Sequence, residues 1–178
     1  MIISTYYNSV NKTMMLTSVS NVDKQTQENN VVKFYNDEKL VGMNIFDVEY
    51  NGGTLIDVTT ISEAKEFGEV ENPFIYAKIE KIEDHPKSTK LHICTIFDGT
   101  NTHQIVCGAA NVEENKVVVM AKIGAVLPGG MEIKPAKVID IDSSGMLCSY
   151  KELGINIEAT GIILKDDLTL VGETYLGE

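Results

Sequence analysis

The sequence predicts a mainly β protein in two segments. Three observations carry this: short β-branched or apolar runs recur along the chain, turn chemistry separates them, and charge divides into an acidic first segment and a lysine-bearing middle. In the first segment Met14 to Val19, Val31 to Tyr35 and Val41 to Val48 read as strands, with Asn36-Asp37 and Asn51-Gly52-Gly53 as turns. Ser62 to Phe67 reads as a helical turn, so this smaller domain is β-rich with an α+β character. Glu69-Val70-Glu71-Asn72-Pro73 is a polar connector, and Pro73 discourages a helix from running through it. The domain boundary is placed there, giving residues 1–72 and 73–178.

In the second segment Phe74 to Ile82, Leu91 to Phe97, His103 to Cys107, Val117 to Ala121 and Ala136 to Ile141 are strand-like runs. His85-Pro86, Asp98-Gly99, Asn111 to Asn115 and Pro128-Gly129-Gly130 supply the turns between them. Five strands in so short a span suggest a small closed barrel. A five-stranded OB barrel is the economical choice, although the pattern alone does not separate it from an SH3-like one. No repeat of fixed period appears, which argues against solenoids and propellers.

Composition narrows the function classes. The 178 residues are enough for one ordinary domain or two small ones, and the formal net charge of -11 argues against a histone-like polycation or an anionic-membrane binder. Residues 1–72 carry 5 lysines and 11 acidic residues, whereas residues 73–154 carry 9 and 10. A nucleic-acid site must therefore be a local patch in the middle of the chain. Every basic residue among the 15 is lysine, so the bidentate guanidinium fork favoured for phosphate and guanine is missing. The odd cysteine count, Cys94, Cys107 and Cys148, does not suit a disulfide framework, and the first residues show no signal-peptide pattern. A cytoplasmic protein with no membrane segment is expected.

No phosphate-loop, dinucleotide, zinc-protease or nucleophile-elbow signature occurs. Ser62-Glu63-Ala64-Lys65 matches a Ser-x-x-Lys spacing but lacks its companion motifs and reads as a solvated helix. His92 and Cys94 share a strand face and could ligate a soft metal with Cys107 or Cys148, yet the spacing fits no common zinc pattern. Plain packing is the reading adopted, with no metal, no cofactor and no catalytic residue. Lys87 and Lys90 follow the first strand of the second segment, while Lys134 and Lys137 lie near the approach to the fifth. An OB barrel can bring both pairs to one face.

Four motifs occur in order. They are Ile82-Glu83-Asp84-His85-Pro86-Lys87-Ser88-Thr89-Lys90-Leu91, then Gln104-Ile105-Val106-Cys107-Gly108-Ala109-Ala110-Asn111-Val112, then Gly124-Ala125-Val126-Leu127-Pro128-Gly129-Gly130, and last Ser143-Ser144-Gly145-Met146-Leu147-Cys148-Ser149 with Glu152-Leu153-Gly154. Together they resemble the tRNA-binding OB domain family. Its members include the N-terminus of the bacterial phenylalanyl-tRNA synthetase β subunit, the C-terminus of methionyl-tRNA synthetases, the EMAP-II-like cytokine precursor and CsaA. The resemblance covers residues 73 to 175, and the acidic first segment joined to such a domain resembles the YtpR family.

The resemblance implies an OB fold and non-catalytic tRNA binding, with tRNA presented in trans to another protein. The alternative it permits is a protein-binding or chaperone-like module akin to CsaA. His85 would shape the first loop, Lys87 and Lys90 would reach phosphates, and Asn111 would offer a donor and an acceptor to a base edge or ribose. Ser143, Met146 and Ser149 would surround a splayed nucleotide, with Lys134 and Lys137 nearby. The implied partners are tRNA and a protein docking on the N-terminal domain, and a homodimer is compatible with the pattern. Two departures bear on affinity: Ser88-Thr89-Lys90-Leu91 stands where the family has Ala-Asp-Lys-Leu, and Ile139-Asp140 where it has Arg-Gly. The second replaces a cation by an apolar residue and adds a carboxylate, which weakens contact with phosphate.

Overall fold

A computed structural model describes residues 1–155 and 157–177. The chain divides into two compact units, the first made of Met1–Pro73, Gly124–Glu132 and the residues from Leu176 on, the second of Phe74–Ile123 and Ile133–Tyr175. The connection Gly124–Glu132 thus leaves the second unit and returns to it.

The first unit is an antiparallel sheet of five strands: β1 Ser4–Asn8, β2 Thr13–Thr17, β3 Lys24–Glu28, β4 Val31–Asn36 and β5 Lys39–Ile45, in the order β1-β2-β5-β4-β3. Period-two alternation puts Met14, Leu16, Met43 and Ile45 into one core with Ile3, Ile56, Val58 and Phe67. Two short 3₁₀ turns, Val58–Thr60 and Ser62–Phe67, contribute Val58, Ala64 and Phe67 to that core. The helical turn expected at Ser62 to Phe67 is the second of these. Asp37 and Glu38, at φ 48° and 60°, turn the chain tightly from β4 into β5, one residue further on than the expected Asn36-Asp37 turn.

Two strands escape the sequence pattern. β1 is buried along both faces, including polar Ser4 and Thr5, so it shows no alternation. Its second face meets the Gly124–Glu132 connection: the Val126 N–H donates to Ser4 Oγ at 2.9 Å, and the Tyr6 hydroxyl donates to the Val126 carbonyl. β3 fails for the opposite reason, since all five of its residues are exposed.

The second unit is a near-closed five-strand barrel built on β6 Phe74–Asp84, β7 His92–Phe97, β8 Thr102–Cys107 and β9 Val117–Ala121. β6 pairs with β9 through its first half and with β7 through its second, and its register shifts between Ile79 and Lys81. That bulge moves the inward parity from Ile75, Ala77 and Ile79 to Ile82 and bends the strand round the core. Cys94, Ile96, Ile105, Val118 and Met120 complete the interior.

The fifth side of the barrel is broken. The run Ala136 to Ile141 is not one strand but a hairpin, β10 Ala136–Val138 and β11 Ile141–Ser143, turning through Ile139 and Asp140 at φ 45° and 72°. A β-branched residue rarely takes that conformation, which is why Ile139 disguised the turn as strand. β11 runs towards β8, where the Ser144 N–H donates to the Gln104 carbonyl at 2.8 Å and the Val106 N–H to Ser143 Oγ at 3.1 Å. β12, Met146–Leu147, then pairs with β9, as does the short β13, Leu164–Lys165.

The segment crosses from β8 to β9 at Gly145, at φ 126°. A Cβ there would lie 2.9 Å from the Ala121 carbonyl oxygen and 3.2 Å from Ile105 Cδ1. Gly145→Ala is therefore expected to destabilise the protein by about 2 to 4 kcal/mol, through strain and overpacking together. Gly129→Ala, where nothing lies within 4 Å, serves as the control. Equal urea midpoints for the two variants would contradict this account of closure.

Candidate functional site

Three stretches far apart in sequence line one cleft of about 360 Å³ in the barrel unit: Val106 to Ala109, Met146 to Glu152, and Gly161 with Ile162. β8 delivers the first stretch and the barrel closure the second. Asn111 holds the third in place, its Nδ2 donating to the Ile162 carbonyl at 2.9 Å while its Oδ1 accepts from the Ile162 N–H at 3.0 Å. Gly161, at φ 83°, permits this because a Cβ would overlap the Asn111 carboxamide.

Ser149 and Glu152 close the cleft by a reciprocal pair of bonds. The Ser149 N–H and hydroxyl both donate to Glu152 Oε2 at 2.7 Å, and the Glu152 N–H donates to Ser149 Oγ at 3.3 Å. This is a capping box on the turn that ends at Gly154, φ 68°. Glu152 was not among the predicted site residues, although the Ser-x-x-Glu spacing of Ser149-Tyr150-Lys151-Glu152 announces it.

The predicted cations lie around the loop joining β6 to β7 and around the β10–β11 hairpin. His85 is buried at 4% exposure; its Nδ1 accepts from the Lys87 N–H at 3.1 Å, and its Nε2 lies 3.2 Å from the Val138 carbonyl, as a donor there. The imidazole thus ties the loop to the hairpin. On the outside of the same junction Lys87 Nζ meets Asp140 Oδ2 at 2.6 Å, with both side chains largely exposed. Lys90 is exposed, and its N–H donates to Ser88 Oγ at 3.2 Å. The Lys90 carbonyl lies 3.9 Å from where a Cβ on Gly108 would stand, so the loop passes close to the backbone of β8's exit.

Lys137 Nζ lies 3.5 Å from Asp142 Oδ1 across the hairpin, and Lys134 is exposed on the approach to β10. Met146 and Ser149 line the cleft, whereas Ser143 is buried with its hydroxyl in the closing seam. The nine predicted residues therefore fall into three groups: Met146 and Ser149 on the cleft, Asn111 and Ser143 holding its frame, and His85 with the lysines on the loop and hairpin.

Burial pushes the Cys94 thiol up to about 12, with Cys107 adding to the rise. Burial also raises Cys107, opposed by the Ala109 N–H that its sulfur accepts and reinforced by the Glu152 carboxylate. Cys148 is raised first by burial and then by Glu152. Among the described residues no group of three or more His, Cys, Asp or Glu is placed to hold a metal ion. No described helix is long and apolar enough to cross a membrane.

A family profile described as "Putative tRNA binding domain" matches residues 74–173. The "Putative tRNA-binding protein YtpR" of Bacillus subtilis is 34% identical over 164 residues, covering 79% of this chain and 82% of that protein. The phenylalanine–tRNA ligase β subunit of Campylobacter jejuni is 50% identical over 98 residues, covering 55% of this chain but only 12% of that subunit. Among solved structures, a MetRS-related protein from Pyrococcus horikoshii matches at a TM-score of 0.43 and 20% identity, covering 57% of this chain and 87% of that one.

Because all three thiols are buried with raised pKa values, they are expected to react with a disulfide reagent at mildly alkaline pH only as the protein unfolds. Labelling of Cys107 in the native protein, at the rate of a free thiol, would show that the cleft opens.

Proposed function

Because the chain belongs to the tRNA-binding domain family and is YtpR-like in organisation, we propose that its barrel unit binds tRNA without chemistry of its own and presents it in trans to another protein. The observation that carries this reading is the convergence of two of the sequence motifs, Gln104 to Val112 and Ser143 to Gly154, on one cleft, with Gly161 and Ile162 as its third side. The cleft has the character of a nucleotide seat: apolar walls from Val106, Ala109 and Met146, and polar atoms from Ser149 and Glu152. Lys87, Lys90, Lys134 and Lys137 supply phosphate contacts, which set affinity rather than sequence preference. His85, Asn111 and Ser143 shape the surface from behind it. tRNA as the ligand places this work in the cytoplasm, and residues 73–178 are its RNA-binding domain.

The electrostatics make this a modest binder. Asp140 occupies the Lys87 ammonium, and Asp142 stands beside Lys137. An exposed ion pair contributes about 0 to 1 kcal/mol to stability, so phosphate can compete for these lysines, but each carboxylate repels the approaching backbone.

Asp140→Gly removes one such carboxylate and suits the φ of 72° at that position. It is expected to tighten tRNA binding several-fold and to steepen the slope of log affinity against log salt by about 0.7 to 0.9, as Lys87 gains a phosphate. Changing Lys87 and Lys90 together to Glu is expected to weaken binding to all tRNAs alike and to flatten that slope. Anisotropy titrations with bulk tRNA over a range of salt concentrations measure both. Binding that is indifferent to salt and to all three substitutions would instead favour a protein-docking module.

A further inference from the structure

We propose that β3 is the edge by which two copies of this chain pair, antiparallel and centred on Thr26, into a homodimer with one continuous sheet. The inference stands apart from the tRNA reading, because it rests on the first unit alone.

The two edges of that unit's sheet are treated differently. Along β1 the Tyr7 N–H donates to the Thr54 carbonyl at 2.9 Å, the Ile56 N–H to the Thr5 carbonyl at 3.2 Å, and the Ile3 N–H to the Glu71 carbonyl at 3.2 Å. That edge is covered. Along β3, among the described residues, no strand or bridge lies on the side away from β4. An antiparallel strand turns every second residue's N–H and C=O outwards, so this edge offers a row of donors and acceptors.

Exposed edges are normally blunted by proline, by a bulge or by charge that repels a second strand. β3 has no proline, and its ladder with β4 runs in register through all five pairs. Its two charges have opposite sign and sit at opposite ends, at Lys24 and Glu28. An antiparallel copy centred on Thr26 puts Lys24 across from Glu28 twice, Gln25 across from Gln27 twice, and Thr26 across from itself. Lys24, Thr26 and Glu28 share one face by the two-residue period, so both ion pairs form on the same side.

Other arrangements lose these contacts. A slip of two residues sets Lys24 against Thr26 and leaves Glu28 unmatched, while a parallel in-register pairing sets like charges together. The two-fold arrangement also closes on itself, giving a dimer rather than a filament.

Within its own chain Lys24 already contacts Glu38, Nζ to Oε2 at 3.0 Å. Glu28 forms no ion pair among the described residues, although it lies in the field of Lys33. The free carboxylate thus sits where a second copy brings an ammonium.

The test uses the full chain after nuclease treatment, followed by sedimentation velocity and native mass spectrometry. The wild type is expected to show a concentration-dependent dimer. Lys24→Glu and Glu28→Lys each place two like-charge pairs at the seam and are each expected to weaken dimerisation about tenfold or more. Glu28→Lys leaves the Lys24–Glu38 contact intact, so its effect reports the second copy. The deciding arm mixes the two single variants: one then carries two carboxylates and the other two ammonium groups, and a heterodimer of mixed mass is expected where each alone stays monomeric. A monomer at all concentrations, a dimer indifferent to both variants, or no heterodimer in the mixture would each overturn the proposal.

Discussion

The barrel unit depends on one crossing, at Gly145. Four strands pair continuously from β8 through β7 and β6 to β9, and among the described residues the stretch from β11 to β12 bridges the remaining gap. It does so in two halves, one bonded to β8 through Ser143 and Ser144, the other paired to β9 through Met146 and Leu147. Between them the backbone passes so close to Ala121 and Ile105 that a side chain cannot be accommodated. The same crossing orients what comes before and after it. The β10–β11 hairpin is held beside the His85 loop, and Met146, Ser149 and Glu152 are delivered to the cleft. Packing at one glycine therefore positions both the charged and the apolar parts of the candidate site.

Charge on this surface is arranged against itself. The chain has no arginine, and two of the lysines on the loop and hairpin, Lys87 and Lys137, face the hairpin carboxylates Asp140 and Asp142. Such pairs are weak in water because screening and side-chain entropy offset most of the attraction. They still lower the local potential that a phosphate backbone meets, since each carboxylate cancels an ammonium at long range. On the proposed reading, recognition of tRNA leans on shape and on the cleft more than on field strength. Steep dependence on salt would then belong to relatives with more cations, not to this chain.

What was legible in the sequence followed from burial on one face. β6 to β9 alternate or run apolar, and their turns carry Gly, Pro, Asn and Asp, so the barrel could be read strand by strand. β1 and β3 defeat the same reasoning from opposite sides: one is covered on both faces and tolerates buried Ser4 and Thr5, and the other is covered on neither. The β10–β11 hairpin was hidden because Ile139 is a strand former placed at a left-handed turn. Two of the literal motifs line the cleft, while its third stretch, Gly161 with Ile162, lies outside all four. His85 and Ser143 are polar residues in conspicuous motifs, and both spend their polarity on neighbouring backbone.

The Gly124 to Gly130 stretch shows why a motif and a contact are different things. Its glycines and proline read as loop chemistry, and the loop belongs to the first unit, where Val126 bonds to Ser4 and Tyr6. Ala125 and Leu127 are buried, and Gly124 lies against Ile2, where a Cβ would come within 3.3 Å of the Ile2 Cβ. Those bonds explain how β1 can carry polar residues on a face with no access to water: a buried hydroxyl is costly only when it is left unpaired. In this chain the loop pairs Ser4 and Tyr6, whereas the Thr5 hydroxyl on the opposite face is buried with no hydrogen-bond partner among the described residues. The part of the stretch from Gly124 to Leu127 is thus accounted for by packing and hydrogen bonding inside the first unit, while Pro128, Gly129 and Gly130 form its exposed turn. A conspicuous run of glycines between two barrel strands is no guide to where a ligand sits until its own backbone partners have been counted.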